Sequence, residues 1–136
     1  MRPTFVDAHF FIALLNPRDR SHQLATLHLT ADLEAPLLTT TWILAEVGDA
    51  MARTARNRAA FADLYRLLQT NPEVEILSAD AWLPQGLELY QRRPDKSWSL
   101  TDCISFVVMT ERGIVEALTG DHHFEQAGFQ ALLRSV

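Results

Sequence analysis

Hydrophobic and polar positions along the chain fall into two alternating periods. Thr4-Phe5-Val6 is a short apolar run of the kind that makes a buried strand, and it passes through Asp7 into an apolar helical stretch over residues 8–15. Asn16-Pro17-Arg18-Asp19 breaks that helix, and a second is predicted over residues 21–34. Pro36-Leu37-Leu38-Thr39 reads as the next strand, followed by a helix over residues 42–54 with Thr40 or Thr41 as its cap. Phe61, Leu64, Tyr65 and Leu68 recur at helical spacing in a segment that Asn57 caps and Asn71-Pro72 ends. Val74-Glu75-Ile76-Leu77 is a strand, and Asp80 caps a helix that runs to Arg92. Ser99 opens a helix that stops at Arg112-Gly113. Residues 115–119 form a strand, residues 122–126 a short helical turn, and the tail from Phe129 a last strand. Strands alternating with helices predict an α/β fold, a three-layer α/β/α sandwich with a mainly parallel sheet, in one domain over residues 1–136.

In such sheets ligands bind beyond the carboxyl ends of the strands. Asp7 and Asp121 both lie just past a predicted strand, so two distant parts of the chain deliver acids to one edge. Each acid has a plain structural alternative. Asp7 and Asp121 are both good N-caps. Asp102 completes Ser99-Leu100-Thr101-Asp102, a capping box. Glu46 falls on or beside the apolar stripe of Ile43, Val47, Ala50 and Met51, where a buried carboxylate is costly without a counter-charge; an edge-exposed glutamate is the alternative. Four carboxylates so placed would repel one another without a cation, and hard oxygen ligands select Mg²⁺ or Mn²⁺. His122 and His123 read as a solvated turn, since adjacent side chains point apart, and no cysteine–histidine set with zinc spacing occurs.

Composition changes this picture little. The 136 residues are 48% hydrophobic and 21% charged, ordinary globular values, and the longest apolar runs are too short to span a bilayer. Met1-Arg2-Pro3 leads directly into the first strand, leaving no room for a signal peptide. The single cysteine, Cys103, reads as a buried apolar residue and makes the cytoplasm the simplest compartment. A net charge of −5 argues at first against a nucleic-acid partner. Yet all basic residues but Lys96 are arginine, which binds phosphate bidentately, and a bound dication would change the local sign. Arg92, Arg93 and Lys96 precede the Asp102 segment and are the better candidates for RNA contacts; Arg53, Arg56 and Arg58 form a second group. Ion pairs on a solvated face are the alternative for both. Trp42, Trp82 and Trp98 could stack bases, although Trp42 and Trp82 fit a core better.

Four stretches resemble the PIN-domain nucleases, especially the VapC-like toxins of bacterial toxin–antitoxin pairs. They are Phe5-Val6-Asp7 with its apolar helix, Thr39-Thr40-Thr41-Trp42-Ile43-Leu44-Ala45-Glu46-Val47, Ser97-Trp98-Ser99-Leu100-Thr101-Asp102-Cys103, and Leu118-Thr119-Gly120-Asp121-His122-His123-Phe124 followed by Ala127-Gly128-Phe129. They occur in the family's order and cover nearly the whole chain. The resemblance implies a Mg²⁺- or Mn²⁺-dependent endoribonuclease that hydrolyses RNA phosphodiester bonds at Asp7, Glu46, Asp102 and Asp121, with Thr101 orienting the third acid or a water. It further implies a homodimer and a tight small antitoxin partner, for which Phe10, Phe11, Leu14, Leu24 and Leu27 offer apolar surface.

The main competitor is a catalytically inactive RNA-binding or scaffold domain of the same fold, which an incomplete acidic set would favour; the set here is complete. A nucleotide-binding protein or phosphatase is disfavoured by the lack of G-x-x-x-x-G-K-[ST], G-x-G-x-x-G and a D-x-D pair at Asp7. DNA flap nucleases share the broad chemistry, but their extra helices need a longer chain.

Overall fold

The computed structural model describes residues 2–31 and 36–134, with side chains of residues 30 and 31 excluded. The first strand, β1 (Thr4–Val6), is buried on both faces and leads into α1 (Ala8–Leu15) and α2 (His22–Ala31). The predicted end of the second helix, residues 32–34, lies outside the described residues. There follow β2 (Leu37–Thr40), α3 (Thr41–Ala50), α4 (Ala55–Thr70) and β3 (Val74–Leu77). A single 3₁₀ turn, Ala79–Trp82, precedes α5 (Leu83–Arg92), and α6 (Leu100–Arg112), β4 (Glu116–Leu118), α7 (His122–Gln126) and β5 (Gln130–Ala131) complete the order.

The five strands form one sheet in the order β3-β2-β1-β4-β5, and every pairing is parallel. Parallel neighbours need crossover helices, which cover both faces and bury the strands. Successive connections run from β1 outward to β2 and β3, and then β4 returns to the other side of β1. The direction in which the connections step across the sheet therefore reverses between β1 and β4, and a crevice opens beyond their carboxyl ends. The sheet is all parallel where the sequence predicted mainly parallel.

Two helix starts differ from expectation. The cap of α4 is Thr54, whose Oγ1 accepts the Asn57 N–H at 3.0 Å, so Asn57 is the third residue of the helix instead of its cap. The Asp80 segment is the 3₁₀ turn, and α5 begins only at Leu83 with Pro84 in its first turn, a position where the missing proline N–H costs nothing. The core centres on Phe5, Phe10, Phe11, Phe124, Leu38, Ile43, Ile104 and Met109, all essentially inaccessible. Phe10 and Phe11 therefore belong to the interior and offer no partner surface; Leu14 and Leu24 are partly buried against the core, and Leu27 is 63% exposed. Trp98 is also internal: its indole N–H donates to Gln126 Oε1 at 3.0 Å and its ring meets Phe106 edge-on. No helix among the described residues is long and apolar enough to cross a membrane.

Candidate active site

Register places the first and fourth acids side by side. Val6 pairs with Leu118, and the Asp7 N–H continues the ladder to the Leu118 carbonyl at 3.3 Å. Asp7 thus leaves β1 opposite Thr119, whose hydroxyl donates to Asp7 Oδ2 at 2.7 Å. Asp7 occupies the cap position of α1 with extended backbone, but its carboxylate makes no capping bond there. The plain alternative for this residue therefore fails. It is an 8%-exposed carboxylate that accepts from the Thr119 hydroxyl. Burial pushes its carboxyl from the ordinary 3.8 up to about 7; the bonds from Thr119 and the Ala8 backbone oppose the rise, and negative charge on Asp102 and Glu46 adds to it.

Glu46 lies on α3, which leaves β2 through Thr40; the Thr40 hydroxyl caps the helix by accepting from the Ile43 N–H at 3.3 Å. The buried stripe of α3 is Ile43, Leu44, Val47 and Met51, while Ala50 faces out. Glu46 accordingly sits at the rim with solvent access. Its carboxyl is still raised, first by partial loss of water and then by Asp102, Asp49 and Asp121, against the stabilising hydroxyl of Thr101. The resemblance put Thr101 beside the third acid; its hydroxyl serves the second.

Asp102 does form the predicted capping box. Its N–H donates to Ser99 Oγ at 3.0 Å and its Oδ2 accepts from the Ser99 N–H at 3.1 Å. The same oxygen lies 3.0 Å from His123 Nδ1. Asp121 caps α7, with Oδ1 accepting the His123 N–H at 2.9 Å. Capping and site membership are compatible, because both acids engage one oxygen and, among the described residues, no hydrogen bond falls on the other.

The loop carrying Asp121 is fixed from both sides. Gly120 packs on His9: its N–H donates to His9 Nδ1 at 2.6 Å, and a Cβ on Gly120 would overlap that imidazole. Phe124 is fully buried between Phe5 and Phe106, with ring centroids 6.3 and 4.9 Å away. The phenylalanine three residues after the acid is thus an anchor that holds the acid at the crevice.

All four acids line one open cleft of about 620 Å³, together with His9, Asp19, Ser97, Ser99 and His123. No lysine or arginine lines it among the described residues. His9, Asp19 and His123 are the residues that sequence reasoning missed. Asp19 falls in a segment whose only signal is a break. The sequence predicts a solvated turn for His123, yet its side chain is only 18% exposed and it bridges toward Asp102 and Asp121. The basic group is paired: Arg92 with Glu88 at 3.6 Å, and Arg93 with Asp95 at 3.0 Å while its guanidinium covers the Trp98 ring at 5.3 Å. Lys96 is half-buried, one residue before Ser97 at the cleft.

A five-stranded parallel sheet whose switch point carries an acidic crevice defines the class. The model of the PIN domain matches residues 4–130, and the chain belongs to that family. Among named relatives, it is 34% identical over 125 residues to the 23S rRNA-specific endonuclease VapC20 of Mycobacterium tuberculosis strain CDC 1551 / Oshkosh, covering 92% of this chain and 94% of the relative. The figures are the same for that endonuclease in strain ATCC 25618 / H37Rv. The crystal structure of Mycobacterium tuberculosis VapC20, a sarcin–ricin loop cleaving toxin, superposes with a TM-score of 0.80 at 29% identity, covering 93% of this chain and 95% of that one.

Proposed function

We propose that this protein is a divalent-metal-dependent endoribonuclease, with Asp7, Glu46, Asp102 and Asp121 as its catalytic acids. The observation that supports it most is electrostatic. Acids from four separate segments share one cleft, Asp7 and Glu46 are pushed toward protonation by burial and by the other acids, and among the described residues no lysine or arginine lines the cleft to relieve them. Such a cluster is stable when ionised only if a cation joins it. The donor set is all carboxylate oxygen, which suits a hard ion such as Mg²⁺ or Mn²⁺; PIN-domain nucleases are generally dependent on divalent metal.

When bound, the ion supplies an acidified water and positive charge against the scissile phosphate. The protein's own groups do the rest. Asp7 is fixed by the Thr119 hydroxyl, and Asp102 and Asp121 by their caps, so three donors are already held and need little reorganisation. Glu46, the acid at the open rim and steadied by Thr101, is the one placed to take a proton from the attacking water. Arg92, Arg93 and Lys96, leading to Ser97 at the cleft, hold flanking RNA phosphates. The relatives' names make ribosomal RNA the first substrate to try. We assign the protein to the cytoplasm as a toxin that works as a homodimer and is restrained by a small antitoxin.

The test uses purified protein on ribosomal and pooled RNA with Mg²⁺, with EDTA, and with Asp7→Asn or Asp102→Asn. Cleavage requiring Mg²⁺ and lost in both variants is the expected result. Cleavage surviving EDTA or either substitution rejects the assignment. RNA binding without cleavage would point to the inactive binding domain instead.

A further inference from the structure

His122 and His123 are neighbours in sequence, yet their rings lie side by side, 4.5 Å between centroids, and both aim at the same acid. His122 Nδ1 is 3.6 Å and His123 Nδ1 3.5 Å from Asp121 Oδ1, and His123 Nδ1 is 3.0 Å from Asp102 Oδ2. One donor atom from each of Asp121, His122 and His123 falls within 4.8 Å of the others. A tetrahedral ion with bonds of about 2.0–2.1 Å keeps its donors roughly 3.3 Å apart. The two contacts to Asp121, 3.6 and 3.5 Å, lie near that spacing, and the third donor pair falls within 4.8 Å. Asp121 Oδ1 also accepts the His123 N–H, and a carboxylate oxygen has a second lone pair for a metal.

The geometry points to a second metal site of different chemistry, in which His122, His123 and Asp121 take a borderline transition-metal ion such as Zn²⁺, with water as fourth donor. Imidazole nitrogen favours Zn²⁺ over Mg²⁺, whereas Asp7 and Glu46 offer oxygen alone. The site shares Asp121 with the acidic cleft. Filling it withdraws one of the four carboxylates from a hard ion, so Zn²⁺ acts as an inhibitor of Mg²⁺-supported cleavage. This inhibition rests on the nuclease reading above; the binding itself does not.

Two measurements test it, on full-length protein carrying no histidine tag. In the first, Co²⁺ is titrated as a visible-absorption probe of tetrahedral coordination, with wild type and with His122→Ala, an exposed position that leaves the fold intact. An intense tetrahedral band in the wild type, weakened at least ~10-fold in apparent affinity by His122→Ala, is expected, since losing a direct ligand costs no less than losing an outer partner. Absence of the band, or a band unchanged by His122→Ala, overturns the site. In the second, Zn²⁺ is added to Mg²⁺-supported cleavage. Its half-inhibitory concentration should rise about 10-fold in His122→Ala; equal inhibition of both proteins overturns the competition. If Mg²⁺ supports no cleavage at all, the nuclease reading fails, and the Co²⁺ spectrum still decides the site.

Discussion

Replacing Asp7 by asparagine should stabilise the metal-free protein. Asn keeps the size and an oxygen that accepts from Thr119, but removes a charge from an interior position. The folded carboxyl has a pKa near 7 against the ordinary 3.8. As pH rises above 3.8 the unfolded chain loses this proton first, so stability falls with pH until about 7 and is flat above. Each pKa unit is worth about 1.4 kcal/mol, which makes the full cost of the charge at pH 8 about 4 kcal/mol. Water entry and relaxation raise the effective dielectric and leave about 2 kcal/mol. For a chain of this size that is a rise in Tm of about 7 °C. The assay is calorimetric unfolding in EDTA at pH 8 and pH 4. Asp7→Asn should melt higher at pH 8 and level with the wild type at pH 4, and Mg²⁺ should raise the wild type alone. A variant that melts no higher at pH 8, or gains as much at pH 4, refutes the reasoning.

Gly120→Ala places a methyl group in the His9 ring, so it should cost about 1–3 kcal/mol in thermal or chemical unfolding. Displacement of the Asp121 loop should also lower cleavage by about 100-fold in a single-turnover assay. Phe124→Ala empties the space between Phe5 and Phe106 and should destabilise by about 3–5 kcal/mol in urea titration. Arg93→Ala, which also removes the pair with Asp95, should weaken RNA binding, measured by anisotropy, and reduce the slope of log affinity against log salt by about 1; an unchanged slope refutes a phosphate contact.

The elements that could be read from the sequence are those with a local cause. Strand β3 and helix α6 match their expected limits because Asn71-Pro72 and the Ser99 box punctuate them, and Gly113 takes the left-handed conformation, φ 67°, that ends α6. The start of α4 was misread because Thr54 and Asn57 are both capping types and no apolar periodicity begins until Phe61. The four acids were legible as a set, since strand exits and helix starts are recognisable one at a time. Their surroundings were not. Glu46 sits at the rim because Leu44, instead of Ala50, completes the buried stripe, a rotation that depends on what α3 packs against. His9 and His123 enter the cleft through contacts with Gly120 and Asp102, far from them along the chain, and no local period signals such a meeting.

The bond from Thr119 to Asp7 joins residues 112 positions apart. During synthesis the amino-terminal segments are made first, yet β1 lacks its β4 neighbour until Glu116–Leu118 have been made. A chain that ends between Glu46 and Asp102 holds two of the four acids, and one that ends short of Asp121 holds at most three. The order of the sheet thus sets the order of assembly: the crevice is complete only once the segment carrying Asp121 has paired beside β1.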